Sequence, residues 1–394
     1  MEDMSLTKVT DNVIPAAFLS QEQPTNLVYL AEDYNWAVSV FDTSRILTFV
    51  VSLTLIIYGS LRAIKIEECN EENDENEKDD SKTTNISWQN LHTIEATQAV
   101  ALPLCASIML LVMFFFFDSL QLLFTLIMTV LATVASAFLL LPICQYATSL
   151  CFNNTNKISL GCCGRFTPAE ITALLTSSVV VMMWVFTGHW LLMDVLSMAL
   201  CVAMIAIVRL PSLKVSVLLL FGLLVYDVFW VFLSEYIFKV NVMVTVATQP
   251  AYNPLHYLTN RLHVRESMQA PLKISLPAKL IFPRKNGHFS MLGLGDVVMP
   301  GLLLCFVLRF DKNKEMSAST PATITYFRCS LIGYFVGLLT ATVVSEASKS
   351  AQPALLYLVP FTLLPIVIRA YMQGDLRKMW TSPFVNVTSK CLDV

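Results

Sequence analysis

The chain has 394 residues, 55% hydrophobic and 14% charged, with a formal net charge of −3 and a mean hydropathy of +0.62. Soluble domains carry about 25% charged residues, so most of this chain needs lipid as its solvent. That excludes a soluble globular domain, and the absence of a basic tract excludes a nucleic-acid partner.

Residues 1–42 are polar, without an apolar core and small-residue cleavage site, so membrane insertion is expected to fall to the first span. Apolar windows then predict nine spans: 43–64, 96–117, 119–143, 169–188, 190–208, 215–238, 290–309, 329–345 and 353–373. Each is close to the roughly 20 residues a membrane helix requires, so the fold class is an all-α polytopic membrane protein. Asp118-Ser119 and Gly188-His189 are the only separators of spans 2 and 3 and of spans 4 and 5, which predicts two tight helical hairpins. Residues 67–80 hold nine carboxylates in fourteen positions and read as a disordered, solvated loop. Cys105, Cys144, Cys201, Cys305 and Cys329 lie in or beside apolar runs as small hydrophobes. Cys151, Cys162 and Cys163 lack the His and Cys spacing of a zinc site, and no metal or other cofactor is expected.

Alternation of nine spans from an extracytoplasmic N-terminus puts sixteen of the 26 Lys and Arg residues in the cytosol. Seven of the other ten sit in one loop, 239–289, against the positive-inside tendency. The expected organisation is an extracytoplasmic tail 1–42, spans 1–5 over 43–208 with acidic cytosolic loop 67–80, spans 6–9 over 209–373 with basic loop 239–289, and a cytosolic tail 374–394. The sequons at Asn85, Asn153 and Asn386 then face the cytosol and stay unglycosylated. Cys391 in the terminal CLDV does not form a prenylation box, because Asp393 breaks the aliphatic pattern.

Two spans carry a central carboxylate, Asp227 in 215–238 and Asp296 in 290–309. An ionised Asp at the membrane centre costs about 2.5 to 3.5 kcal/mol on insertion scales, so such residues face a bundle interior or an aqueous cavity. From Asp227 to Phe238 is roughly 16 Å of helix, and from Phe289 to Asp296 roughly 10 Å, both measured from loop 239–289. The two carboxylates are therefore expected in the same half of the bilayer. Gly293 lies three residues before Asp296, on its helical face, and Gly295 directly before it. Both would let another backbone approach. Tyr226 adjoins Asp227 as a hydrogen-bond donor. Two close carboxylates share a proton, which supplies a general base beside a general acid without metal or covalent intermediate.

Two further segments belong to this reading. Pro353 opens the last span in QPALLYLVPF, where a broken helix end beside the site is expected, while Pro360 and Pro365 kink the same helix. KISLPAKLIF, 273–282, reads as an extended piece, restricted by Pro277 to a sheet edge, that could hold an unwound peptide by strand addition. Asp118, Asp194 and His189 read as interfacial or structural residues.

Taken together, YD (Tyr226, Asp227), GLGD (Gly293, Leu294, Gly295, Asp296) and PAL (Pro353, Ala354, Leu355), in that order, resemble the GxGD intramembrane aspartyl proteases, which comprise presenilins and signal peptide peptidases. The flanking strings GHWLLMD, VRLPSLKVS, YDVFWVF and GYFVGLLTATV are similar to the third branch of the signal-peptide-peptidase-like group. The resemblance implies Asp227 and Asp296 as the catalytic pair, Pro353, Ala354 and Leu355 as substrate-positioning residues, and type II single-span membrane proteins as substrates. It also implies an extracytoplasmic N-terminus and Golgi residence, with the endoplasmic reticulum or plasma membrane as alternatives. No obligatory partner is implied, and self-association stays open. The rival function is a transporter or channel using the two aspartates as a proton or cation relay, although no inverted repeat accompanies them.

Overall fold

The structure, a computed structural model, describes residues 43–76, 92–151, 158–159, 165–249, 251–253, 273–274, 276–283, 289–317, 325–348 and 352–381. The 1–42 tail, the three sequons, Cys162, Cys163, Cys391 and most of loop 239–289 lie outside them.

Among the described residues, eight helices are long and apolar enough to cross a membrane: α1 (start Thr43), α2 (Ala96–Phe117), α3 (Ser119–Ser149), α4 (Pro168–Thr187), α5 (Trp190–Ile207), α6 (Leu213–Phe238), α9 (Tyr326–Ser348) and α10 (Leu355–Met372). Shorter helices are α7 (Val242–Thr248) and α11 (Leu376–Trp380). The fold is an all-α, polytopic membrane protein of the expected class.

The break between α2 and α3 falls at Phe116, which leaves helical geometry at φ −120° and ψ 28°. A straight rod would separate Ile94 from Phe138 by roughly 65 Å. Instead the Ile94 N–H donates to the Arg209 carbonyl at 3.0 Å, Arg209 donates to Glu67 at 3.0 Å, and Arg62 donates to the Phe138 carbonyl at 3.4 Å. Both ends of the 94–138 stretch thus lie beside residues 62–67 of α1, so the chain reverses as a hairpin. The second junction is built by capping. Gly188 ends α4 in the left-handed region at φ 62°, and the His189 ring accepts from the Leu191 N–H to start α5. At its other end, α4 carries a reciprocal cap between Thr167 and Glu170, with Pro168 in the first turn.

The acidic segment departs from expectation. Helix α1 runs on through Thr43–Asn76, so the first ten positions of the predicted acidic loop, 67–76, are helical. Glu67 holds it there, accepting from Arg309 at 2.7 and 2.8 Å and from Arg209 at 3.0 Å, while Glu68 pairs with Lys312. These residues come from three predicted loops on one side of the membrane, and the structure gathers them at one end of the bundle.

The seventh predicted span is divided. Ser290 to Gly293 belong to strand β8 (Phe289–Gly293), and the helix, α8 (Leu294–Ser317), starts afterwards. The preceding short strands are β1 (His92–Thr93), β2 (Ile158–Ser159), β3 (Arg165–Phe166), β4 (Val208–Arg209), β5 (Ala251–Tyr252), β6 (Lys273–Ile274) and β7 (Lys279–Pro283). Strands β7 and β8 form an antiparallel hairpin with Leu280 opposite Leu292 and Ile281 opposite Met291. The predicted extended stretch 273–282 is thus two strands, with Pro277 in the turn between them rather than at a strand edge.

Helices α5 and α8 form the centre. Leu196, Ala199, Ile205 and Ala206 of α5, and Val297, Leu303, Leu304 and Val307 of α8, are fully buried. Helix α2 is the most lipid-exposed, with Leu104, Ile108 and Phe115 each more than 60% accessible. Helices α9 and α10 make the tightest approach: a Cβ on Gly333 would sit 2.1 Å from the Phe361 carbonyl oxygen. The glycines of GYFVG are what let these two backbones touch.

Candidate active site

Asp227 occupies the last regular turn of α6 before a π-helical turn at Phe229–Leu233. That wider turn frees carbonyls, and two are taken up locally: Ser234 donates to the Trp230 carbonyl at 2.6 Å and Asn241 to the Val231 carbonyl at 3.1 Å. Such bulges are frequent at functional sites. Hydropathy cannot register one, so only the structure reveals it.

Asp227 is 4% exposed, and its Oδ2 accepts the Leu355 backbone N–H at 3.2 Å. Leu355 is the first residue of α10, after Pro353 and Ala354. The first N–H groups of any helix have no intrahelical partner, and here one is satisfied by a carboxylate from another helix. The PAL segment and Asp227 are thus joined directly, as a helix start inside the bundle requires.

Asp296 stands in the first turn of α8 and lies close enough to Asp227 to interact with it electrostatically. Depth agrees from both ends. From Leu213 to Asp227 is roughly 21 Å and from Asp296 to Arg309 roughly 20 Å, measured from the charged end of the bundle. From the other end, residues 289–293 as strand rise faster than helix, so Phe289 to Asp296 becomes roughly 18 Å, close to the roughly 16 Å from Phe238 to Asp227. The shorter distance expected for an all-helical span is corrected by the strand.

Gly293 is accordingly the last strand residue, not a helical neighbour of Asp296. Its close approach is real for another reason: a Cβ there would lie 3.2 Å from Asp296 Oδ2, whereas one on Gly295 meets nothing within 4 Å. Leu294 is buried at the strand-to-helix junction. Tyr226 is near enough to Asp227 to feel its charge, but no hydrogen bond joins them among the described residues.

Asp296 opens onto a cavity of about 320 Å³ whose lining includes Arg45, Ser290, Thr342, Ser345, Gln352 and Ala354. Arg45 is ion-paired with Glu346 across α1 and α9. Tyr334, which sequence reasoning did not single out, is fully buried, and its hydroxyl donates to the Asp296 carbonyl at 3.4 Å. The signal was a polar aromatic inside GYFVG, on a span otherwise read only for hydrophobicity. Asp194 is brought to the β7–β8 hairpin rather than to the two aspartates.

A helical bundle enclosing a carboxylate on each of two neighbouring helices, beside a broken helix start, is the architecture of a polytopic membrane protein with a buried polar site. A family profile described as signal peptide peptidase matches residues 87–386. Signal peptide peptidase-like 1 of Oryza sativa subsp. japonica is 39% identical over 322 residues, covering 77% of this chain and 86% of that protein. Its namesake from Arabidopsis thaliana is 37% identical over 311 residues, 75% and 83%. Signal peptide peptidase-like 2A of Mus musculus is 34% identical over 230 residues, 56% and 40%. The chain belongs to the signal peptide peptidase family, and it is a multi-pass membrane protein of the intramembrane protease class.

Proposed function

We propose that the protein is an aspartic-type endopeptidase that hydrolyses peptide bonds within or near the transmembrane helix of type II membrane proteins, with Asp227 and Asp296 as the catalytic pair. The observation that carries this is the convergence of three separate chain segments: Asp227 bonded to the Leu355 N–H, Asp296 within electrostatic range of Asp227, and the polar cavity at Asp296. Two carboxylates so placed share one proton. The ionised one takes a proton from water as that water attacks the scissile carbonyl. The protonated one donates to the developing oxyanion; as the C–N bond breaks, the proton taken from water passes to the leaving amine and the diol hydroxyl returns its proton to the carboxylate that supplied it.

A substrate helix satisfies its own carbonyls and must unwind before attack. Among the described residues, the β7–β8 hairpin that leads into Asp296 is where an unwound strand would add. Leu294 N–H donates to the Ala278 carbonyl at 3.4 Å, which sets the alternation of the ladder: Leu280 and Phe282 face β8, while Lys279 and Ile281 face away. That outer β7 edge is already occupied by α5, so a peptide would pair with β8, where Met291 is 54% exposed. Pro353, Ala354 and Leu355 would position it, and Gly293 leaves room beside Asp296. This replaces the expectation that the 273–282 stretch itself receives the substrate.

The same reading places the N-terminus outside the cytosol, the charged end of the bundle in the cytosol, and the protein in Golgi membranes as a member of the third signal-peptide-peptidase-like branch. It needs no cofactor and no obligatory partner. The test is reconstitution of purified protein with a type II single-span substrate, comparing wild type with Asp296→Ala. Cleavage by wild type alone supports it; equal cleavage by both removes Asp296 from the chemistry. No cleavage by either, with aspartate-dependent proton or cation flux, supports a transporter instead.

A further inference from the structure

Asp194 is a buried carboxylate within a membrane-spanning helix, and the two-aspartate chemistry does not use it. It is 4% exposed, a costly placement that calls for a partner. The partner is backbone: Asp194 Oδ1 accepts the Ile281 N–H at 2.9 Å. One turn along α5, the single Ser197 hydroxyl proton is shared between the Met193 carbonyl at 2.9 Å and the Lys279 carbonyl at 3.2 Å. Residues 279 and 281 are those whose polar groups point away from β8. One turn of helix therefore presents an acceptor and a donor to successive outward groups of β7, as a neighbouring strand would. Pro283, the next outward residue, has no N–H to offer. Two adjacent outward groups of β7, the Lys279 carbonyl and the Ile281 N–H, are thus taken by side chains of α5.

We propose that Asp194 and Ser197 are positioning residues that clamp the outer edge of β7, fixing the hairpin whose second strand continues directly into Asp296. Strand β8 pairs along its length with β7 and continues directly into α8, so freedom in β7 passes to Gly293 and the first turn of α8. The clamp also leaves β8 as the open edge. The activity arm of the test below rests on the protease reading; the exchange arm does not.

The experiment uses the full chain in lipid nanodiscs with Asp194→Ala, Asp194→Asn and Ser197→Ala. Amide hydrogen exchange is followed by mass spectrometry in peptides covering 276–296, with 213–228 of α6 as internal reference, and kcat and KM are measured on a single-span peptide. Loss of one buried hydrogen bond to a charged acceptor predicts about tenfold or more faster exchange in the hairpin and a comparable fall in kcat for Asp194→Ala. The reference helix and KM should stay unchanged. Asp194→Asn keeps an acceptor oxygen and should return both readouts to within about threefold of wild type; Ser197→Ala should fall between them. Unchanged hairpin exchange in Asp194→Ala and Ser197→Ala overturns the clamp, as does an Asp194→Asn variant as impaired as Asp194→Ala. If Asp194→Ala unfolds, seen as rapid exchange in the reference helix, Ser197→Ala decides: wild-type hairpin exchange refutes the proposal. If Asp296→Ala cleaves like wild type, the protease reading fails while hairpin exchange still decides the clamp.

Discussion

Replacing Gly333 with Ala should disable the site from a distance. The new Cβ would lie 2.1 Å from the Phe361 carbonyl oxygen, and Cβ atoms essentially never come within 3.0 Å of a neighbour. Relief requires α9 and α10 to part by about 0.9 Å or more, at an overpacking cost of about 1–3 kcal/mol. Phe361 sits in α10, about 9 Å along the helix from Leu355. A rigid shift of that size stretches the 3.2 Å Leu355–Asp227 contact beyond hydrogen-bond range. Losing a hydrogen bond to a charged acceptor, about 1.5–3 kcal/mol, corresponds to roughly ten- to a hundredfold in kcat. The assay is single-span substrate cleavage by the purified variant, with thermal unfolding alongside. Cleavage at the wild-type rate, with an unchanged unfolding midpoint, would refute the claim that the α9–α10 contact sets the position of the PAL segment.

Gly295→Ala should cleave within about twofold of wild type, because its Cβ meets nothing within 4 Å; a loss as large as that of Gly333→Ala would contradict the steric distinction. Glu67→Ala strips Arg309, 8% exposed, of its bidentate carboxylate. Breaking a buried pair costs about 3–5 kcal/mol, so the variant should show sharply reduced folded yield in detergent. Tyr334→Phe removes the hydroxyl that donates to the Asp296 carbonyl and should lower the unfolding free energy by about 1 kcal/mol. For Asp375, burial alone would raise the carboxyl, but hydrogen bonds from Lys314 and Tyr326 outweigh it and hold the group below the usual carboxylate range. A depressed native pKa adds stability that is present above the unfolded value and lost as pH falls through the native one. Thermal scans should therefore show an acid-side loss of stability, and that component should be absent in Asp375→Asn.

Much of the bundle was legible because hydropathy reports which solvent a segment needs. Asp227 and Asp296 stood out as charges in lipid, and Gly188-His189 marked a real junction through left-handed geometry and capping. Hydropathy does not report secondary structure, however. SMLG before Asp296 is apolar whether helix or strand, so β8 was read as helix and the depth of Asp296 was underestimated. The acidic stretch after Ile66 looked solvated because Arg209 and Arg309, which draw Glu67 into the bundle, are distant in sequence. Asp194 was rightly separated from the two central aspartates, but its bond to Ile281 depends on a hairpin edge that no local pattern specifies.

The proposed function requires Asp227 and Asp296 to act as one catalytic unit. Its most direct test is product mass spectrometry on a reconstituted single-span substrate with wild type, Asp227→Ala, Asp296→Ala and the double variant, all confirmed folded. Groups that act as a unit are strongly non-additive, so each single variant should fall to the background of the double. Cleavage by either single variant at a rate near that of wild type, with the same product masses, would contradict it.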